Sequence, residues 1–240
     1  MGLNLTRKYS INFSLPKRSK KQIKFLIIHY TGMRKHSDAI KRLCDPKAKV
    51  SSHYFISNKG RLFNLIPDLY EAWHAGVSHW KDYKSINKYS IGIEINNPGH
   101  EFGYKKFSKN QIFSLTKLLK FLKKKYHIKK TNILGHSDIS PNRKKDPGEK
   151  FPWHYLAKKN LSIWHKLNKN KIKIFRNINL KDNEIKLFFN NLHKIGYSKA
   201  NRTKTKIEQS NLIKAFQRRF RQDLINGKVD KECYLISKTL

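Results

Sequence analysis

The sequence predicts an α/β layered domain followed by a small helical module. Apolar runs of strand length alternate with helical periodicity as far as about Trp164, and only helical periodicity is found after residue 180. Hydrophobic residues make up 38% of the 240 residues, aromatic residues reach 12%, and the apolar residues cluster in periodic segments. This clustering indicates a packed core rather than a disordered chain.

The first predicted strand is the continuous apolar run of residues 25–28, which ends at His29. A β-hairpin is predicted next, because residues 50–57 and 61–66 flank Asn58-Lys59-Gly60, a turn sequence that tolerates positive φ.

Two further strands are predicted in the middle of the chain. In residues 91–95 three isoleucines alternate with Gly92 and Glu94, so the isoleucines face one side of a sheet while Gly92 and Glu94 face the other. Residues 132–134 are predicted as another buried strand, which ends at Gly135-His136.

Helical periodicity is clearest after Ser108, where apolar residues recur at helical spacing as far as Tyr126. A shorter helix is predicted to begin at a Ser37 cap. In the C-terminal module, one predicted helix contains residues 187–195 and ends at Gly196. A second contains residues 212–220 and ends near Gly227.

The net charge of +37 predicts attraction to polyanions. No specific nucleic-acid partner is expected, because the charge is spread along the whole chain and Lys, which suits bidentate base contacts less well than Arg, predominates. The favoured interpretation of the high positive charge is an AT-rich genome combined with general attraction to anionic envelope polymers.

Cys44 and Cys233 are the two cysteines of the sequence, so a disulfide framework and a cysteine-rich zinc site are excluded and free thiols in a reducing compartment are expected. The N-terminal residues lack the apolar run of a signal peptide, and no segment is long enough to span a membrane. These observations predict a cytoplasmic protein, with the periplasm or envelope as the alternative.

Candidate metal ligands follow two of the predicted strands. His29 and His136 end strands, and Asp146 lies in the loop ten residues beyond His136. Two imidazoles and one carboxylate leave a fourth zinc position for water, which is typical of a catalytic site. The alternative is that two of the 11 histidines merely hydrogen-bond in a packed interior.

Six segments carry a family resemblance. FLIIHYTG, VSSHYFI, AWHAGVSHW, SIGIEINN, ILGHSDISPNRKKDPG and FPW occur in the order found in amidase-2 (AmpD/AmiD-like) N-acetylmuramoyl-L-alanine amidases, and residues 22–160 resemble that family. The resemblance implies a mixed central β-sheet flanked by helices. It also implies zinc-dependent hydrolysis of the amide bond between N-acetylmuramic acid, or its 1,6-anhydro form, and L-alanine in peptidoglycan or muropeptides.

The resemblance implies roles for individual residues. Carried over by position, the Zn²⁺ ligands are His29, His136 and Asp146. Glu94 matches the acidic residue that acts with the attacking water as general base and acid, and Lys144 matches the residue that stabilises the oxyanion. Without the resemblance, a salt bridge would be favoured for Glu94 and a solvated surface for Lys144.

Substrate contacts are implied for a second set of residues. Trp73, His74 and Ala75 resemble the substrate-lining segment of the family, Arg143 suits a substrate carboxylate, and His53 is interpreted as part of the wall of the site. Core packing remains the alternative for Trp73, and solvent exposure for Arg143.

Four regions are predicted. They are a basic lead-in (1–21), the zinc amidase domain (22–164), a linker (165–180) and a helical module (181–240) that resembles a peptidoglycan-binding domain. A purely structural appendage is the alternative for the module. A recognition protein without activity would lack part of the site, and another type of zinc peptidase would carry HExxH, which is absent. Substrate preference and oligomeric state stay open.

Overall fold

The fold centres on a mixed β-sheet. The computed structural model describes residues 4–198 and 205–240. The strands in these residues are β1 (Leu5–Arg7), β2 (Phe13–Ser14), β3 (Phe25–Tyr30), β4 (Tyr54–Ile56), β5 (Leu62–Asn64), β6 (Glu71–Ala72), β7 (His79–Trp80), β8 (Tyr83–Lys84), β9 (Ser90–Ile95) and β10 (Ile133–Gly135). Six of them form the central sheet in the order β1-β5-β4-β9-β3-β10, in which only the β4–β5 hairpin is antiparallel.

Helices cover both faces of the sheet, which confirms the predicted fold class. They are α1 (His36–Cys44), α2 (Lys109–Lys125), α3 (His136–Ile139), α4 (Trp153–Lys158), α5 (Lys169–Ile172), α6 (Asp182–Ile195), α7 (Lys206–Phe220) and α8 (Lys231–Ser237). The predicted helix after Ser108 is confirmed as α2. Its first turn is closed by a capping box in which the Ser108 and Gln111 side chains each accept the other's backbone N–H.

The apolar side of α2 packs on one face of the sheet. Leu115, Leu119 and Leu122 belong to the same buried cluster as the isoleucines of β9. Because strand residues alternate between faces, burying these isoleucines leaves Ser90, Gly92 and Glu94 on the opposite face of β9.

The C-terminal helices cover that opposite face. Phe25 of β3 lies in one buried cluster with Phe188 of α6 and Phe216 of α7. Arg219 of α7, only 2% exposed, donates to Asp138 Oδ2 at 2.6 Å and also to the Ile133 carbonyl. The apolar core is therefore continuous from the sheet into residues 181–240.

The lead-in of residues 1–21, of which residues 1–3 lie outside the described part of the chain, is built into the same fold. β1 lies beside β5 at the edge of the sheet, and β2 pairs with β6. The Arg18 guanidinium is 7% exposed and donates to the carbonyl oxygens of Asn87, Ser90, Asp68 and Tyr70. Charge composition gave no indication of these contacts.

Two predicted helix boundaries are wrong. Ser37 does not cap α1, because the helix already begins at His36 and the Ser37 hydroxyl donates to the Asp38 carboxylate. The α7 helix ends at Phe220 and not near Gly227, because Arg221 leaves the helical conformation and its guanidinium binds Asp230.

Other segments are shorter or more ordered than the sequence indicated. The hairpin is confirmed, but its strands span only three residues each. Within residues 165–180, which were predicted as a linker, the chain forms α5 and buries Ile172.

Candidate metal centre

The predicted metal ligands converge at the edge of the sheet where β3, β9 and β10 end. His29 lies opposite Glu94 in the β3–β9 pair, and Gly135 lies opposite Ile28, so His136 follows at the level of His29. The loop after α3 returns to the same place, because the Ser137 N–H donates to the Asp146 carbonyl at 2.8 Å. Parallel strands all end at one edge, and this brings together residues that are far apart in the chain.

The three ligand atoms form a close triangle. Nδ1 of His29 lies 2.9 Å from Nδ1 of His136 and 3.0 Å from Oδ2 of Asp146. The distance between Nδ1 of His136 and Oδ2 of Asp146 is 3.1 Å. All three residues are buried. Burial and the neighbouring His136 lower the pKa of His29 to about 4, so its imidazole is neutral at pH 7, the form that binds metal.

This triangle fits a divalent metal ion. Two imidazole nitrogens and one carboxylate oxygen are a donor set typical of zinc. A tetrahedral ion with bonds of about 2.0–2.1 Å separates its ligand atoms by roughly 3.3 Å, so the donors would need to move by only a few tenths of an ångström.

Glu94 points toward this centre from β9, as the alternation of the strand predicted. Its Oε2 atom is buried and has no hydrogen-bond partner among the described residues. Burial and the charge of Asp146 raise its pKa to about 8, although the nearby Lys144 opposes the shift. An unpartnered carboxylate beside three metal-type ligands is free to act on a bound molecule.

A cavity of about 580 Å³ opens over the ligands, and Glu94, Arg143 and Lys144 line it. The charge of Lys144 acts on both His29 and Glu94 and lowers the pKa of each. The exposed Arg143 is tied to the wall, because its guanidinium donates to the carbonyls of Ala75 and Val77 at 3.0 and 2.8 Å.

The residues predicted to contact substrate differ in their access to this cavity. Trp73 and His74 line it, and the Trp73 indole N–H donates to Ser14 Oγ at 2.8 Å. Ala75 is fully buried, and its carbonyl oxygen lies 3.1 Å from Nε2 of His136. In this geometry Ala75 contacts a metal ligand, while its contact with substrate stays a prediction.

His53 is fully buried and lies outside the set of described residues that line the cavity. Its Nδ1 accepts the Gly92 N–H at 3.0 Å, so its Nε2 donates to the Tyr70 carbonyl at 2.9 Å. His53 therefore hydrogen-bonds backbone groups beneath the site, beside the Arg18 guanidinium, whose Nη2 atom lies 3.0 Å from His53 Nε2.

Several residues that line the site were not predicted from the sequence. Tyr30 and His100 line the cavity, with the Tyr30 hydroxyl 2.9 Å from His100 Nδ1, and His100 Nε2 lies 3.1 Å from Glu149. Arg42 reaches the same cavity from α1. Because Tyr30 directly follows His29, its position in the sequence could have indicated a site residue. The contact between His100 and Glu149 joins residues 49 positions apart, and no local pattern predicts it.

Comparison with known sequences identifies relatives. The Amidase_2 family, described as N-acetylmuramoyl-L-alanine amidase, matches residues 19–149. N-acetylmuramoyl-L-alanine amidase AmiD of Escherichia coli K12 is 34% identical over 231 residues, which cover 91% of this chain and 82% of that protein. 1,6-Anhydro-N-acetylmuramyl-L-alanine amidase AmpD of Haemophilus influenzae is 35% identical over 154 residues, which cover 56% of this chain and 82% of that protein.

Solved structures agree with the sequence relatives. E. coli AmiD in complex with the substrate anhydro-N-acetylmuramic acid-L-Ala-D-γ-Glu-L-Lys matches with a TM-score of 0.80 and 33% identity, over 95% of this chain and 91% of that one. AmpDh3 of Pseudomonas aeruginosa in complex with anhydromuramic pentapeptide matches with a TM-score of 0.79 and 29% identity, over 92% and 91%. The chain belongs to the Amidase_2 family and is an N-acetylmuramoyl-L-alanine amidase.

Proposed function

We propose that this enzyme binds Zn²⁺ through His29, His136 and Asp146 and hydrolyses the amide bond between L-alanine and N-acetylmuramic acid or its 1,6-anhydro form. The observation that carries the proposal is the buried triangle of two imidazole nitrogens and one carboxylate oxygen, with sides of 2.9 to 3.1 Å. Zinc bound by three protein ligands polarises a carbonyl oxygen and lowers the pKa of water to about 7.

Glu94 is the proton-transfer group of this proposal. A pKa of about 8 lies close to neutral pH, where a carboxylate both accepts a proton and returns it. The free Oε2 atom takes a proton from the attacking water and delivers it to the amine of L-alanine as the amide bond breaks. Lys144 supplies positive charge for the carbonyl oxygen, which becomes negative during the attack.

A muropeptide is the proposed substrate. Arg42, Arg143 and Lys145 line the cavity, and their charges suit the carboxylates of a stem peptide. Trp73 offers an aromatic surface to the sugar or the peptide. The relatives AmiD and AmpDh3, each in complex with an anhydro-muropeptide, support this substrate class.

The place of action follows from the substrate. No helix among residues 4–198 and 205–240 is long and apolar enough to cross a membrane. Preference for 1,6-anhydro-muropeptides would agree with the predicted cytoplasmic location, and cleavage of intact wall with the periplasmic alternative. In the second case residues 181–240 would act as a wall-binding module, and their excess of basic over acidic residues supports attraction to anionic polymers.

One experiment tests the function. Purified protein is incubated with anhydro-muropeptides and separately with intact sacculi, each with and without a chelator, and the products are identified by mass. We expect release of peptides that begin with L-alanine, loss of release after chelation, and recovery when Zn²⁺ is added back. Release that persists in the chelated enzyme would exclude the metal mechanism, and no release from either substrate would exclude the proposed activity.

A further inference from the structure

Two consecutive residues, His74 and Ala75, contact both histidines of the metal centre. His29 Nε2 lies 3.1 Å from Nδ1 of His74, and His136 Nε2 lies 3.1 Å from the carbonyl oxygen of Ala75. We propose that the His74-Ala75 dipeptide is a positioning element that keeps the proton of both imidazoles on Nε2, so that both Nδ1 lone pairs face the metal. The inference rests on the zinc site of the proposed function.

Hydrogen bonds run from His29 through His74 to Ser90. Their direction follows from the Ser90 hydroxyl. The Ser90 hydroxyl donates to the Ile86 carbonyl at 2.7 Å, and a carbonyl oxygen only accepts. Ser90 Oγ must therefore accept from Nε2 of His74, which lies 3.2 Å away. His74 is then protonated on Nε2, and its Nδ1 accepts the proton of His29 Nε2.

The direction at His136 is simpler. Its Nε2 faces the carbonyl of Ala75, which only accepts, so Nε2 carries the proton and Nδ1 does not. Both imidazoles are thereby fixed in the same tautomer by adjacent residues of one segment. Two neutral nitrogens and the Asp146 carboxylate then meet without a proton among them.

The dipeptide is itself held in place. Oδ1 of Asn87 accepts the backbone N–H groups of His74 and Ala75, at 3.1 and 2.7 Å. The His74 ring lies against the backbone of β9 at Gly92, where an added Cβ would come within 2.4 Å of the ring. Glycine is therefore required at position 92 by close approach, and His74 has little room to turn.

This arrangement gives His74 a role at the metal ligands besides the substrate contact predicted for it. A hydrogen-bond partner behind a metal-bound histidine fixes the tautomer and orientation of the ring, and its removal typically weakens metal binding about 10- to 100-fold. We therefore expect His74 and Ser90 to act on metal affinity first and on turnover through it.

The test uses the full-length protein and Zn²⁺ alone. His74→Leu removes the acceptor and should weaken zinc binding about 10- to 100-fold in competition with a chromophoric chelator. His74→Asn restores an acceptor near the position of Nδ1 and should recover most of the affinity. Ser90→Ala should lower affinity about three- to tenfold. Its matched control is Ser52→Ala, because Ser52 is equally buried and donates to the Gly92 carbonyl but contacts no imidazole.

A second readout does not depend on metal. Long-range ¹H–¹⁵N spectra of the metal-free protein report which imidazole nitrogen carries the proton, and we expect Nε2 for His29 and His136 in the wild type. A proton on His29 Nδ1 in the wild type would overturn the inference, as would equal zinc affinity in His74→Leu and the wild type. Failure of the wild type to bind zinc would instead overturn the proposed function, and the metal-free spectra would still test the tautomers.

Discussion

Glu94 lies directly opposite His29 in the parallel pair of β9 and β3. Residues opposite each other in a sheet face the same side, so the register alone places a carboxylate beside a metal ligand. A shift of one residue would turn Glu94 into the apolar cluster beneath α2. The pairing of these two strands therefore determines whether a proton-transfer group is available at the metal.

Glu94→Gln should bind zinc as the wild type does and lose about 10²- to 10⁴-fold in kcat, because the amide cannot accept the proton of the attacking water. Turnover of an anhydro-muropeptide, measured alongside zinc content, checks this. Glu101→Gln, a change at an exposed residue on the rim of the cavity, serves as the comparison. Wild-type turnover in the Glu94→Gln enzyme would show that Glu94 is not the proton-transfer group.

Lys144→Met should lower kcat by about 10²- to 10³-fold with a smaller change in KM, because the lost charge acts mainly on the oxygen that becomes negative during the reaction. Lys144→Arg keeps the charge and should recover part of the rate. Steady-state kinetics of both variants separate the two effects. If KM rises while kcat stays constant, Lys144 binds the ground state of the substrate and does not stabilise an oxyanion.

Arg219→Met should lower the free energy of unfolding by about 3–5 kcal/mol, because it leaves the Asp138 carboxylate buried without its cationic partner, with hydrogen bonds only from the Tyr197 hydroxyl and the Gly135 N–H. Both side chains are at most 2% exposed. Urea unfolding measures the change. Lys231→Met, which removes a more exposed ion pair with Glu184, should change stability far less, because solvent screens that pair. Similar losses in the two variants would contradict a special role for the buried pair.

The stability of the metal-free protein should fall as the pH is lowered from about 6.5 toward 3. Burial, and next the charge of Arg18, lower the pKa of His53 to about 3, whereas an unfolded histidine titrates near 6.5. Between these values the unfolded chain binds the proton and the folded chain does not. The free energy of unfolding then decreases by up to about 1.4 kcal/mol per pH unit for this group, and the contribution is fully present above about pH 6.5.

Urea unfolding between pH 7.5 and 4.5 checks this dependence. Compared with the wild type, His53→Asn should show a shallower loss of stability, whereas His36→Asn, a change at an exposed residue, should keep the wild-type slope. Equal slopes in His53→Asn and the wild type would mean that His53 does not resist protonation in the folded protein.

Local patterns were sufficient for much of the fold and for the metal ligands. The apolar run before His29, the alternation of residues 91–95 and the periodicity after Ser108 predicted β3, β9 and α2, because side-chain spacing follows directly from strand and helix geometry. The ordered motifs predicted His29, His136 and Asp146, and the structure brings these three together.

Local sequence patterns did not predict the contacts between residues that are far apart in the chain. The hydrogen bonds of His74 to His29 and of Ala75 to His136 join residues 45 and 61 positions apart. Arg18 belongs to the segment predicted only as a basic lead-in, yet its guanidinium is buried and donates to the Ser90 carbonyl. Such contacts depend on where whole strands and loops lie in space, and a local spacing does not record that.

The sequence by itself determined the α/β elements, the family and the residue types of the metal site. Only the tertiary structure decided that the His74-Ala75 segment holds both imidazoles, that His53 lies away from the cavity and that the C-terminal helices share the core of the sheet. The physical reason is that hydrogen-bond direction and burial are properties of three-dimensional neighbours, which the folded backbone selects from residues distant in the chain.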